Sequence, residues 1–210
     1  MPLVQRLKYQ KEPNMIITVA SFKGGVSKTT TAVHLAAYLQ ERSPTFLIDG
    51  DPNRSATGWA RRGELPFKVV DERQAARYAR DYPHCVIDTE ARLDTEDLKA
   101  LADGCDLLVI PTTPDALALD ALMLTVKVLE TLSASQYRVL LSIIPPRPSR
   151  DGDEARTTLE SGLPLLNSSV RRLVAFQKAA LAGVPVYSVN DPRAHFGWED
   201  YLQVGREILR

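Results

Sequence analysis

One junction narrows the folds open to this chain. MIITVASF (15–22) is a β-branched apolar run of the kind that forms a buried strand. From Lys28 to about residue 42 the spacing turns helical, with Val33, Leu35, Ala36 and Leu39 available for an inner face. Between the two lies K-G-G-V-S-K-T-T (23–30). A strand, a glycine pair and then K-[ST] opening a helix is the setting of a phosphate-binding loop. The ordinary spacing G-x-x-x-x-G-K-[ST] is not met, because its two glycine positions hold Ser27 and Phe22. The glycines are Gly24 and Gly25, and an additional lysine, Lys23, precedes them. Glycines let the backbone approach an anion with no Cβ in the way. The amides that follow and the helix N-terminus then point donors at it. Lys28 supplies a point charge for the β- and γ-phosphates, and Thr29 a hydroxyl for Mg²⁺. A mere glycine-rich turn with solvated lysines would not need this order of strand, loop and helix.

The same alternation continues. Apolar strand runs are expected at 45–49, 67–70, 84–88, 106–111 and 137–144, with further short ones at 163–167 and 184–189. Helices are expected at 54–62, 71–80, 95–103, 115–132, 154–161, 169–181 and from about 196 onward. This pattern predicts an α/β fold of three layers, a mainly parallel sheet flanked by helices. Ligands in such sheets sit at the carboxyl ends of the strands. The acids fall there too. LIDGDPN (47–53) places Asp49 and Asp51 at one strand end, and CVIDTE (85–90) places Asp88 at another. Beside a triphosphate, one acid can support Mg²⁺ and another can orient water. Each is also a turn or cap former, and Pro52 supports the turn role for its neighbours.

Bulk properties exclude some classes. Twenty-six basic residues balance 26 acidic ones, so a strongly basic, always-on nucleic-acid binder is not indicated. The two cysteines, Cys85 and Cys105, lie in apolar surroundings with no C-x-x-C spacing, as reduced core thiols would. No apolar run approaches the ~20 residues of a membrane span, and no secretory signal is visible. A cytoplasmic location is expected. Residues 1–14 are polar, with Arg6, Lys8 and Lys11 against Glu12, and read as a flexible arm before a single domain at 15–210.

K-G-G-x-x-K-T-T at 23–30, D-x-D-P-N-x-S-A-T at 49–57 and V-I-D-T at 86–89 resemble the ParA family of deviant Walker ATPases. IPTTPDALALDAL (110–122) and AGVPVYSVNDPRAHFGWEDY (182–201) resemble later segments of that family, and the length resembles its small type. The resemblance implies an ATP site formed by Lys23, Gly24, Gly25, Val26, Ser27, Lys28, Thr29 and Thr30. It implies Mg²⁺ supported by Thr29, Asp49 and Asp88, and hydrolytic water positioned by Asp51. Lys23 matches the lysine that reaches the nucleotide of a second subunit, which makes Lys23, Lys28 and Asp51 the catalytic set. Members form an ATP-sandwich homodimer, bind nonspecific DNA in that state, and are released when a ParB-like or adaptor partner stimulates hydrolysis. Cargo is a plasmid, a chromosome or a protein organelle carried over the nucleoid, with no membrane involved.

Arg171, Arg172 and Arg193 fall where the family places DNA-contacting bases, although a solvated helix face explains each equally well. The adenine is expected against the main chain near 111–114, 145–147 and 184–191. The sequence departs from the family at Ser27, at D-P-N-R-S (51–55) where D-P-Q-G-N is frequent, and at Glu90 to Arg92 where prolines or small residues are usual. Two other classes share the expected fold. An ATP-dependent ligase or iron–sulfur reductase would need a substrate constellation or a surface cysteine. A membrane-cycling division-site ATPase would carry a basic amphipathic tail.

Overall fold

A computed structural model describes residues 14–91 and 93–210. The expected arm at 1–14 lies, apart from Asn14, outside the described residues. The strands are β1 (Met15–Val19), β2 (Thr45–Gly50), β3 (Lys68–Asp71), β4 (His84–Thr89), β5 (Leu107–Thr112) and β6 (Tyr137–Leu141). They form one sheet in the order β3-β2-β4-β1-β5-β6, and every neighbouring pair is parallel. The helices are α1 (Lys28–Gln40), α2 (Ser55–Arg62), α3 (Ala75–Tyr78), α4 (Thr95–Asp103), α5 (Ala116–Thr131), α6 (Asp151–Glu160), α7 (Val174–Ala182) and α8 (Ala194–Ile208).

The strands are apolar on both faces because both faces are covered. Along β5, Leu107 and Val109 join one cluster with α1, α2, α7 and α8. Their neighbours Leu108 and Ile110 join the opposite cluster with α4, α5 and α6. This is the two-residue period of a strand expressed as two cores. A smaller cluster sits around Phe46, Val70 and Cys85. Helix α8 lies close on α1: a Cβ added at Gly205 would come within 2.3 Å of the Tyr38 ring. Beside it, Trp59 of α2 donates its indole N–H to Val184 O at 3.1 Å, and Arg62 Nε donates to Ala180 O at 2.7 Å. Arg62 therefore ties α2 to the end of α7.

The expected strand at 184–189 is instead a 3₁₀ turn, Val186–Ser188. Pro185 has no N–H to give a ladder, and the N–H of Val186 goes to the His34 ring at 3.0 Å. The expected strand at 163–167 is broken. The chain from Pro164 to Arg172 touches the β6 edge at two isolated bridges, Val139 with Leu165 and Ile144 with Arg171. Between them Glu207 of α8 accepts the amides of Asn167 and Ser168 at 2.7 and 2.9 Å, which satisfies backbone that the ladder does not. The expected helix at 71–80 is a 3₁₀ turn, Glu72–Gln74, followed by the short α3.

The register positions the site. Val19 is level with Asp88 on β4, and Asp49 on β2 is level with Asp88 from the other side. The loop that leaves β1 therefore emerges beside both acids at the carboxyl edge of the sheet.

Candidate functional site

The loop from β1 to α1 contains two left-handed residues, Gly25 at φ 80 and Ser27 at φ 70. They turn the chain so that α1 starts at Lys28. Ser27 makes no side-chain cap to the helix, and no acid stands in the first turn of α1. The first amides of that helix are thus left for an anion from outside the chain. The loop is propped from beneath by a residue the sequence did not suggest. Ser142, just past β6, donates to Val26 O at 3.1 Å or Thr112 O at 3.0 Å.

Lys28 is buried, and its ammonium donates to Lys23 O at 3.2 Å. Burial lowers its pKa, and the charges of Asp88 and Asp51 oppose that. Asp88 is fully buried, with no hydrogen bond of good geometry to either carboxylate oxygen and the Thr29 hydroxyl nearby. Burial pushes its pKa up to about 7; the nearby Thr29 hydroxyl and Lys28 oppose the rise, and Asp49 and Asp51 add to it. A buried carboxylate without a partner costs several kcal/mol in general and calls for a cation or a donor. Magnesium suits this donor set, a hydroxyl on Thr29 beside the buried Asp88 carboxyl, because it takes oxygen ligands. Among the described residues no three acids, imidazoles or thiols converge into a cage, so most ligands of such an ion would come from phosphate and water.

The other two acids are partly spoken for. Asp49 accepts Thr57 N at 2.7 Å and Asp51 N at 3.3 Å, so its oxygens brace the connection to α2. Asp51 accepts both the backbone and side-chain N–H groups of Asn53 at 2.9 Å, and Ser55 Oγ–H at 3.4 Å. It is half-buried and keeps lone pairs to spare. Lys23 reaches sideways, and its ammonium meets Asp115 Oδ1 at 2.7 Å. Asp115 caps α5 by accepting Ala118 N at 3.1 Å, and it also accepts the Thr113 hydroxyl. The Lys23 and Thr113 contacts hold its carboxyl below the usual range. Its T-P-D-A setting carried the cap signal, but not the ion pair.

Beside the loop opens a cavity of about 480 Å³. Gly25, Ser27 and Thr30 form one side, and Ile143 with residues 170–173 form the other. None of the three segments expected to wall the adenine lines it. The three candidate arginines separate here. Arg171 turns to the buried Asp200, with Nη2 to Oδ1 at 2.6 Å and Nε to Oδ2 at 2.9 Å. Its charge is compensated, unlike that of a free phosphate contact. All three are exposed, but only Arg171 is paired with Asp200; Arg172 and Arg193 line a neighbouring cavity of about 440 Å³ with Pro146 and Gln177. Both cysteines are buried, and the Cys85 thiol is pushed up to about 12 by that burial, which removes the surface ligand a cluster would need. Glu90 is half-buried, and Arg92 lies outside the described residues.

A parallel sheet with a lysine-bearing anion loop and an acid at the end of the next strand defines a P-loop nucleotide-binding protein. Residues 17–186 match the CobQ/CobB/MinD/ParA nucleotide binding domain family, and the chain belongs to that family. The maintenance of carboxysome distribution protein A of Gloeobacter kilaueensis is 36% identical over 93% of this chain and 94% of its own. A plasmid partition protein of Borrelia burgdorferi bound to AMPPNP shares the fold at TM-score 0.70, with 19% identity over 91% of this chain and 98% of its own. The ATP complex of a Cyanothece McdA variant does so at 0.68, with 17% identity over 93% and 95%.

Proposed function

We propose that this chain is an ATP-dependent positioning ATPase that works in the cytoplasm on the nucleoid. The observation that carries the reading is the uncapped start of α1 facing the buried Asp88 across Lys28. ATP occupies the loop, with its phosphates on the amides of residues 24–30 and on Lys28. Its nucleoside end enters the cavity against Ile143 and residues 170–173. Thr29 and Asp88 would hold Mg²⁺, which would supply charge neutralisation at the transferred phosphoryl. Asp49 acts behind them by holding the Asp51 turn in place. Asp51 orients the attacking water and accepts its proton. Lys28 stabilises the negative charge on the phosphates.

Lys23 serves a second copy of the chain. It leaves Asp115 and reaches the nucleotide of the partner, so that dimer formation depends on ATP. Arg172 and Arg193 carry the nonspecific DNA contact, and pairing two copies doubles a weak patch. Arg171 drops out of that set because Asp200 holds it. The names of the relatives support a protein organelle of the carboxysome kind as cargo, with an adaptor or ParB-like partner triggering hydrolysis.

Light scattering on the full chain tests the switch. The mass is expected to double with ATP and to stay single with ADP. Asp51→Ala is expected to bind ATP and accumulate as dimer, and Lys23→Ala to bind nucleotide yet stay monomeric. A Lys23→Ala chain that dimerises normally would refute the cross-subunit role.

A further inference from the structure

Residues 170–173 form the far wall of the cavity beside the phosphate loop, yet they belong to no regular element. On one side they hang on β6 and the chain just past it: Val170 N donates to Leu141 O at 2.9 Å, and Ile144 donates to Val170 O at 3.0 Å and accepts Arg172 N at 2.8 Å. The intervening amide, that of Arg171, points the other way, to Asp200 Oδ2 at 3.0 Å. The same carboxylate takes the Arg171 guanidinium through Nε and Nη2. Asp200 is nearly buried, so an acid placed there without these donors would be costly. One side chain thus holds both the backbone and the side chain of the wall.

The next residue holds the loop. Tyr201 is fully buried, and its hydroxyl meets Thr31 Oγ1 at 3.1 Å, which in turn lies 3.5 Å from Ser27 Oγ. Its ring stacks on His34 at 4.7 Å. His34 reaches Thr30 O at 2.7 Å. Adjacent residues of α8 therefore grip the two sides of one cavity, the phosphate loop through Tyr201 and the opposite wall through Asp200.

We infer that Asp200 is a positioning residue for the nucleoside end of the nucleotide: it sets the wall at 170–173 at the distance from the phosphate loop that the base and ribose require. This rests on the ATP reading above. The role touches the nucleoside and not the phosphates, and that separates it from a general contribution to folding. A loosened wall would weaken ATP while the loop, Lys28 and Asp88 still bind a phosphate chain.

The experiment measures affinities of the full chain, with Mg²⁺, for ATP and for inorganic triphosphate. Asp200→Asn keeps the shape and removes the charge. It is expected to weaken ATP by roughly tenfold or more, the scale on which a misplaced binding group is felt, and to leave triphosphate within about twofold. Asp200→Glu is expected to recover part of the ATP affinity. Arg171→Lys keeps the charge but loses the fork, and is expected to lower the ATP-to-triphosphate ratio in the same way even if Asp200→Asn does not fold. Equal losses for both ligands, or no loss of ATP affinity in either Asp200→Asn or Arg171→Lys, would overturn the inference. A wild-type chain that binds neither ligand would instead overturn the ATP reading itself.

Discussion

Ser27 and Arg54 both sit in left-handed backbone, at φ 70 and φ 53. Both stand where the resembling family usually has glycine. A residue with a Cβ costs roughly 1–2 kcal/mol there, and here each side chain makes a local contact in return. Ser27 lies beside Thr31, and Arg54 Nη1 donates to Asp49 O. What position 27 demands is a backbone geometry, and the hydroxyl is secondary. Ser27→Gly is therefore expected to keep ATP binding, while Ser27→Val is expected to lose it, since a β-branched side chain resists positive φ. Titration with a fluorescent ATP analogue distinguishes the two. His34 makes a second prediction at this scale. Val186 N–H donates to Nε2, so Nδ1 carries the proton to Thr30 O, and the ring must be neutral. Burial holds its pKa near 4, below the ordinary 6.5. Between those values the unfolded chain binds more protons, so this contribution is full above about 6.5 and is lost as pH falls toward 4. The loss is on the order of 3 kcal/mol by pH 4. Urea midpoints from pH 7 to 4 are expected to fall less steeply in His34→Gln than in the wild type.

At the scale of elements, α5 shows how a cap becomes part of a site. Asp115 both caps the helix and holds Lys23. Asp115→Ala is expected to cost about 1 kcal/mol of stability, read from urea unfolding, as for other lost N-caps. The alternation of strand and helix was legible in the sequence because buried parallel strands read as continuous apolar runs. The loop at 23–30 and the acid at 88 were legible because their chemistry is local. The turn at Val186–Ser188 was not, since V-P-V-Y-S-V has strand composition and only the donation to His34 and Pro185 forbid a ladder. The wall at 170–173 departs from the helix expected at 169–181, which starts only at Val174, because residues far along the chain, Ile144 and Asp200, hold it. For the same reason Arg171 read as a free base. Nothing local to V-R-R announces a buried acid 29 residues away.

At the scale of the whole molecule, the sheet brings together three segments that hold nothing alone: the loop after β1, the Asp49–Asp51 turn after β2 and Asp88 on β4. The cavity beside the phosphate loop and the cavity lined by Arg172 and Arg193 share Arg172, Leu173 and Gln177. Arg172 lines both, so the proposed nucleotide and DNA contacts meet at one residue. The overall charge is zero, so the proposed DNA contact requires a local arrangement of bases rather than net charge. The most direct measurement is binding of the full chain to random-sequence duplex DNA with ATP, with ADP and without nucleotide, each at low and high salt. Binding is expected with ATP alone, weakened steeply as salt rises. Equal binding in all three nucleotide states, or no binding with ATP at low salt, would contradict it.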